Sequence, residues 1–265
     1  MKGSKYILLS FDVEEFDLPL EYNFAISAEE QMQTGKNGLD AIDPILSDPA
    51  IVSTLFTTAN FAMQYPGSIQ KHALKHEIAS HTFYHSEFQN EHLLSSKTKL
   101  EEISGTVVTG LRMPRMRKVS LDEVRKAGYV YDSSVNPTWL PGRYNNLKLP
   151  RTLYTEQEIY RVPSAVSPFF RIPLFWLSFK NLPYTFYKKL ALQTLKKDGY
   201  LCLYFHPWEF ISLAHFGLPA FIRKKDGEAL LDLLFRLLTD LKHEGEFVSM
   251  NQFIKQKSPA LAELP

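Results

Sequence analysis

The feature that most narrows the fold of this chain is a recurring pattern: a short apolar or β-branched run that ends on one chemically reactive side chain. Tyr6–Phe11 runs into Asp12, Glu77–Ser80 into His81, Val107–Leu111 into Arg112, Tyr129–Tyr131 into Asp132, and Tyr200–Phe205 into His206. Runs of that length and composition read as buried strands. Further strands are expected at Val52–Thr58, near Tyr160–Val162 and at Phe247–Ser249. Helical stretches separate them: Lys36–Leu46, ending ahead of Asp48-Pro49, then Gly67–Leu74, Leu93–Ile103, Tyr184–Lys197 and Glu228–His243. Ser120 is placed to cap another helix that stops at Gly128, with Asp122 and Glu123 in its first turn. Strands alternating with helices predict an α/β fold on a parallel sheet, doubly wound or closed. In a closed barrel the strand C-termini share one face, so reactive groups distant in sequence would meet there.

Two of these segments carry most of the chemistry. In Asp12-Val13-Glu14, alternation along an extended chain points both carboxylates to one side. Facing a common cavity they repel unless a cation or an arginine stands between them; alone, the segment also reads as a solvated acidic loop. In His81-Thr82-Phe83-Tyr84-His85, a helical turn would bring the two imidazoles within about 5–6 Å at Cβ, whereas a strand would separate them by roughly 13 Å. Two imidazoles and a carboxylate, with positions left open, form a ligand set used for catalytic zinc and non-haem iron.

Other candidates have plainer readings. His72, His76, His92, His215 and His243 read as surface or capping residues. Trp208 reads equally as a pocket wall or a packed core residue, and Glu209 as a helix N-terminal residue or a partner of His206. Residues 136–183 read as a long irregular excursion. Within it, residues 169–180 are expected to cover the core, the alternative being an interfacial patch.

Charge and cysteine usage exclude several classes. Lys plus Arg (30) nearly cancels Asp plus Glu (29), so no global field favours nucleic acid or an anionic membrane. The one cysteine, Cys202, lies in the apolar run Leu201–Phe205, which rules out an internal disulfide and a thiolate zinc site and predicts a buried, inert thiol. The N-terminal apolar run is too short for a secretory signal, and no window approaches the roughly 18 apolar residues of a membrane span. One cytoplasmic domain over residues 1–265 is expected.

Taken in order, Phe11-Asp12-x-Glu14, His81-Thr82-x-x-His85, Arg112-x-Pro114, Tyr131-Asp132-Ser133-Ser134 and Leu203–Glu209 resemble the five ordered motifs of the polysaccharide deacetylases, carbohydrate esterase family 4. The Phe205-His206-Pro207-Trp208-Glu209 form is similar to a branch associated with bacterial surface-polysaccharide gene clusters. The resemblance covers about residues 6 to 250. It implies a distorted, TIM-like (β/α) barrel of about seven strands and a metal-dependent carbohydrate N-deacetylase.

For individual residues the resemblance implies Asp12 as catalytic base, Arg112 as its tether, the Arg115 backbone N–H as oxyanion donor, and His206 as general acid oriented or tuned by Asp132. His81 and His85 would hold one divalent ion, with zinc expected and cobalt, nickel, manganese or iron as alternatives. The commonest family pattern has two adjacent aspartates, the second on the metal. Val13 stands there, so Glu14 is the expected third ligand and Glu15 the reserve, although alternation points Glu15 away. Trp208 and Glu209 are the substrate-side candidates. The implied partner is an N-acetylated sugar in a nucleotide- or lipid-linked glycan or a polysaccharide, with no nucleic acid, no transmembrane segment, and peripheral membrane contact only if residues 169–180 face outward. Two alternatives compete: a catalytically degenerate glycan-binding barrel, which Val13 keeps open, and a metal-dependent hydrolase of a non-sugar amide.

Overall fold

Alternation along the first strand, β1 (Tyr6–Val13), decides which face of the sheet carries chemistry. In the computed structural model, which describes residues 4–258, Ile7, Leu9, Phe11 and Val13 all join the main apolar core. Leu8 belongs instead to a separate inner cluster, and Ser10 and Asp12 both contact Arg112 on that inner side. The outermost ends of the expected 1–265 unit, residues 1–3 and 259–265, lie outside the described residues.

The remaining strands are β2 (Ser53–Thr57), β3 (Glu77–Ser80), β4 (Gly110–Leu111), β5 (Tyr131–Asp132), β6 (Trp139–Leu140), β7 (Tyr144–Asn145), β8 (Tyr154–Glu156), β9 (Ile159–Arg161), β10 (Tyr200–Phe205) and β11 (Glu246–Phe247). The main sheet runs β10-β1-β2-β3-β4-β5-β9-β8, with β11 on the first residues of β1. Every neighbour from β10 to β9 is parallel, and only β8 runs antiparallel. That gives seven parallel strands along the path, as expected. Among the described residues no ladder closes the ring. Instead irregular backbone bridges the gap, the Val162 N–H bonding the Asp132 carbonyl (3.0 Å) and the Ala165 N–H bonding the Cys202 carbonyl (2.9 Å). The fold is a distorted (β/α) barrel.

Helices α1 (Ala28–Ala41), α2 (Asp43–Leu46), α3 (Ala59–Gln64), α4 (Pro66–Ala73), α5 (Glu91–Ser104), α6 (Leu121–Lys126), α7 (Trp176–Asn181), α8 (Tyr184–Asp198), α9 (Ala220–Arg223), α10 (Gly227–Lys242) and α11 (Met250–Lys257) complete the chain. In α10, Leu230, Leu234, Leu237, Leu238 and Leu241 are buried at helical spacing in the main core. On α11, Phe253 packs on Tyr200 (4.6 Å between ring centres) and Tyr6 (5.8 Å), both first residues of strands. It therefore plugs the N-terminal end of the barrel and leaves the other end for the site.

Several boundaries differ from expectation for identifiable reasons. Helix α1 starts at Ala28 rather than Lys36, because the Ser27 hydroxyl accepts the Glu30 N–H (3.1 Å). Helix α3 was not expected; the Thr58 hydroxyl caps it. The strand expected over Val107–Leu111 is only Gly110–Leu111, since α5 ends in left-handed Gly105 and Val107 stays exposed. Ser249 leaves the last strand to form a capping box with Gln252 at the start of α11. Ser120 occupies the N-cap of α6 but its side chain makes no cap bond. Residues 136–183 are less irregular than expected, holding a β6–β7 hairpin, a β8–β9 hairpin and α7. His72 and His76 are buried, not surface residues. No helix among the described residues is long and apolar enough to cross a membrane.

Candidate active site

Two glycines set how closely the first helix approaches the barrel mouth. A Cβ at Gly35 would lie 2.3 Å from the Glu14 carbonyl oxygen, and one at Gly38 would lie 2.4 Å from the Pro207 carbonyl carbon. Helix α1 therefore lies directly across the exit of β1 and the 207–210 turn. That contact holds two functional segments side by side.

Glu14 is the next residue past β1, buried at 3% exposure. Its Oε2 lies 3.0 Å from His81 Nε2 and 3.1 Å from His85 Nε2. The 81–85 segment is not the helical turn that the spacing predicts; it is an irregular loop with Thr82 at φ 65°. The Thr82 and Phe83 carbonyls accept the N–H groups of Ala59 (3.0 Å) and Asn60 (2.9 Å), so the loop caps α3 rather than forming a helical turn of its own. The two rings still end 5.6 Å apart and nearly parallel.

The electrostatics of this cluster are strongly coupled. Burial alone would raise the Glu14 carboxyl, but the His85 charge, the close approach of the His81 ring and the His206 charge hold it well below the usual carboxylate range. Burial alone would lower His85; Glu14 and Asp17 overcome that and push it up to about 9. Asp17 Oδ1 sits 2.7 Å from His85 Nδ1, and Oδ2 accepts Arg115 Nη2 at 2.9 Å. A carboxylate behind an imidazole fixes which ring nitrogen is free to bind a metal. Sequence reasoning missed Asp17, whose one signal was the acid-rich run Asp12–Asp17. Glu15 does not serve as a reserve ligand: its oxygens accept Thr58 Oγ1 and Asn60 Nδ2, both at 2.6 Å.

The donors present fit a divalent ion. Glu14 Oε2 is buried and has no hydrogen-bond partner of acceptable geometry, although two ring nitrogens lie within 3.1 Å. The ligand atoms of Glu14, His81 and His85 all lie within 4.8 Å of one another. Two imidazole nitrogens and one carboxylate oxygen converging without hydrogen bonds suit zinc and its first-row neighbours.

Beside this triad lies a second cluster. Asp12 Oδ1 accepts Arg112 Nη1 at 2.6 Å. The Arg112 guanidinium is fully buried, 4.0 Å above the Phe56 ring, and also donates to Ser10 Oγ and Ser133 Oγ, both at 3.0 Å. Asp12 Oδ2 lies 3.9 Å from His206 Nε2. The His206 ring stacks on Trp208 (4.7 Å, 22°) and meets Trp176 edge-on at 5.1 Å. Its Nδ1 is 3.1 Å from Glu209 Oε1, and Glu209 Oε2 is 2.9 Å from Lys180 Nζ. Burial alone would lower His206; the Glu209 hydrogen bond and the charges of Glu14, Glu209 and Asp12 raise it. Glu209 would rise by burial but is held down by Lys180 and His206. Cys202, four residues before His206 along β10, is pushed up to about 11 by burial, as an inert thiol should be.

Several assigned roles change. Asp132 does not reach His206: it accepts the Ser134 N–H (2.9 Å) and hydroxyl, and pairs with Arg161 at 3.2 Å. Ser134 in turn accepts the Met113 N–H at 2.8 Å, so Asp132 shapes the loop after β4. Glu209 meets both of its structural readings, lying in the first turn after His206 and 3.1 Å from His206 Nδ1, but as a fully buried group it is not the substrate contact expected. Trp208 does line the cavity, and its Nε1 also donates to Glu14 Oε1 at 3.1 Å. Arg115 takes a left-handed conformation (φ 54°) at the cavity wall, its side chain bridging Asp17 and Glu21. Residues 169–180 divide: Phe169 and Phe170 are exposed, whereas Phe175 and Trp176 wall the cavity and Lys180 is buried. An outward membrane patch through Phe175 and Trp176 is therefore ruled out. Trp176, read from the sequence only as part of the 169–180 segment, walls the cavity, and Lys180 holds Glu209; both roles depend on packing across the barrel.

The cavity holds about 280 Å³. Asp12, Glu14, His81, His85 and His206 meet in it; Phe175, Trp176 and Trp208 are among its apolar walls; and Glu21, Arg115 and Arg143 are its exposed charged lining.

No protein-family model and no curated protein matches the chain. Solved structures do. A candidate polysaccharide deacetylase from Mycobacterium smegmatis is 15% identical, with TM-score 0.65 over 100% of this chain and 94% of the other. A second, from Pseudomonas aeruginosa PAO1, is 14% identical, with TM-score 0.66 over 98% and 92%. An allantoinase is 17% identical, with TM-score 0.64 over 100% and 93%. Identities this low compare folds, and by that measure the chain is built on the polysaccharide deacetylase fold.

Proposed function

We propose that this chain is a member of carbohydrate esterase family 4 that hydrolyses the N-acetyl amide of a sugar, using one divalent ion held by Glu14, His81 and His85. The observation that carries the reading is the meeting, in one cavity, of that triad with an arginine-tethered Asp12 facing His206. A bound ion supplies Lewis acidity to the amide carbonyl and the attacking water. Asp12 is the base: Arg112 occupies Oδ1 and fixes the carboxylate plane, leaving Oδ2 for the water's proton. The Arg115 N–H is the oxyanion donor, a role worth about 3–4 kcal/mol per donor in other enzymes. His206 gives its proton to the departing nitrogen, since an amide nitrogen leaves readily only as a neutral amine. Glu209, anchored by Lys180, holds the His206 Nδ1 side so that Nε2 faces the reaction.

A degenerate glycan-binding barrel has no need of such a proton-transfer pair. Hydrolysis of a non-sugar amide is the second reading, favoured by the aromatic and aliphatic walls of the cavity. Acetate release should be measured from N-acetyl sugars, N-acetyl amino acids and cyclic amides, with the protein loaded with zinc, cobalt or manganese. Turnover of an N-acetyl sugar that is lost in His206→Ala supports the proposal. Turnover of the other amides alone would replace it with the second reading, and no turnover with the ion bound would overturn both.

A further inference from the structure

We propose that the sugar is recognised as a phosphate or diphosphate ester, whose anion lies on a basic shelf formed by Arg117, Lys118 and Arg143 beside the cavity mouth. This rests on the N-deacetylase reading and names the substrate class of the same site.

The shelf is a groove continuous with the active-site cavity: Glu21, Arg115, Met116, Arg143 and Tyr144 line both, and Arg117 and Lys118 extend the groove beyond it. Its lining holds Arg115, Arg117, Lys118 and Arg143 against the single carboxylate of Glu21. Glu21 is already shared, contacting Arg115 and, at 3.2 Å, Arg143. Among the described residues Arg117 and Lys118 have no ion-pair partner; Arg117 only lies over the Phe88 ring at 5.7 Å. The chain as a whole is nearly neutral, 30 cationic against 29 acidic side chains, so this excess is local. A concave surface with several unmatched cations concentrates anions. Guanidinium groups also match the oxygens of phosphate in two-point contacts.

Geometry ties the shelf to the reaction. Arg115 Nη1 donates to the His85 carbonyl (3.2 Å), and Nη2 reaches Asp17, which holds the His85 ring. The shelf therefore begins at a proposed metal ligand. In a 2-acetamido sugar the amide is on C2 and a glycosyl phosphate is on the adjacent C1. An amide placed over the triad would put the first phosphate at the cavity border, near Arg115 and Arg143. A second phosphate would fall further out, towards Arg117 and Lys118. A single carboxylate would not use that many cations.

The test compares the wild type with an Arg117→Ala/Lys118→Ala double variant, both substitutions being at exposed positions outside the catalytic cluster. Substrates are neutral chitotriose, N-acetylglucosamine 1-phosphate, UDP-N-acetylglucosamine and a polyprenyl-diphosphate N-acetylglucosamine in micelles. The expected result is a KM raised about tenfold or more for a phosphate-bearing substrate, with kcat and the chitotriose kcat/KM unchanged. The nucleotide and polyprenyl arms identify which carrier is used. No wild-type preference for the phosphorylated sugars, or equal loss on all substrates, would overturn the inference. Calorimetric binding of N-acetylglucosamine 1-phosphate to both proteins separates the two levels. Shelf-dependent binding without turnover of any sugar keeps the anion site and sinks the deacetylase reading; turnover of chitotriose with no shelf-dependent binding does the reverse.

Discussion

Two pairs of histidines share one spacing, His72 with His76 and His81 with His85, and their rings lie at similar separations, 6.2 and 5.6 Å. Their chemical situations are opposite. His76 is pinned between the Ser53 hydroxyl (3.0 Å from Nδ1) and the Leu46 carbonyl (2.9 Å from Nε2), and the nearest carboxylate to His72 is Asp43 at 3.8 Å. Burial pushes His76 down to about 4 and lowers His72 as well. The second pair encloses Glu14, and His85 is raised to about 9 despite its burial. Spacing supplies proximity in both places. What separates a structural pin from a candidate ligand set is a buried carboxylate delivered by another strand, here by the two-residue alternation that carries Asp12 and Glu14 to the inner face.

The largest effect that would break this comparison is on metal content. His81→Ala, His85→Ala and Glu14→Gln should each lose the bound ion and with it the activity, whereas His72→Ala and His76→Ala should keep full occupancy by metal analysis. An ion retained by His81→Ala, or lost by His76→Ala, would mean that the carboxylate is not what distinguishes the pairs. Next in size is Asp12→Asn, which should keep the ion and lose about 10²–10⁴-fold in rate, the range for a general base. If Asp12→Asn sheds the ion and Glu14→Gln keeps it, their roles are exchanged. Smaller again is Asp17→Asn, which loosens the His85 ring without removing a ligand. Zinc affinity measured by competition with a chelator should fall about 10–100-fold; an unchanged affinity would reduce Asp17 to a partner of Arg115.

Much of this was legible in the sequence because it depends on period and order. The strand Tyr200–Phe205 has the expected limits, and β1 alternates as expected, which is why Asp12, His81, Arg112 and His206 converge at one end of the barrel. Asp132 shares the pattern but misses the cavity, since β5 is only two residues long and its carboxylate is taken by Ser134 and Arg161. The 81–85 loop was misjudged because spacing reports separation along the chain, whereas its conformation is set by donors at the start of α3. Helix α1 was half hidden for a different reason. Apolar periodicity sees side chains, and this helix packs against the site through Gly35 and Gly38, which have none. Lys180 and Glu209 form a fully buried ion pair separated by a strand and a helix, a relation that no local pattern encodes.

The smallest expected effect follows from the opposite charge preferences of His76 and His85 and is read as stability against pH. His76 is held near 4, below its unfolded value of 6.5, so the unfolded chain binds the extra proton first. Its contribution is therefore fully present above about pH 6.5 and is lost as the pH falls towards 4. Between pH 7 and pH 5.5 that loss is about 1 kcal/mol, a shift of roughly 2–4 °C in Tm for a chain of this size. His72 acts with the same sign. His85 has the reverse sign in the metal-free protein, because its folded value is raised: its contribution is present below pH 6.5 and lost as the pH climbs through 9. Denaturant melts of metal-free wild type and His76→Gln at pH 7 and 5.5 isolate the first of these. The variant should be less stable at pH 7, through the lost bonds to Ser53 and Leu46, yet should lose about 1 kcal/mol less on acidification. Equal losses in both proteins would show that His76 does not resist protonation, and the contrast between His76 and His85 would then lie in their partners alone.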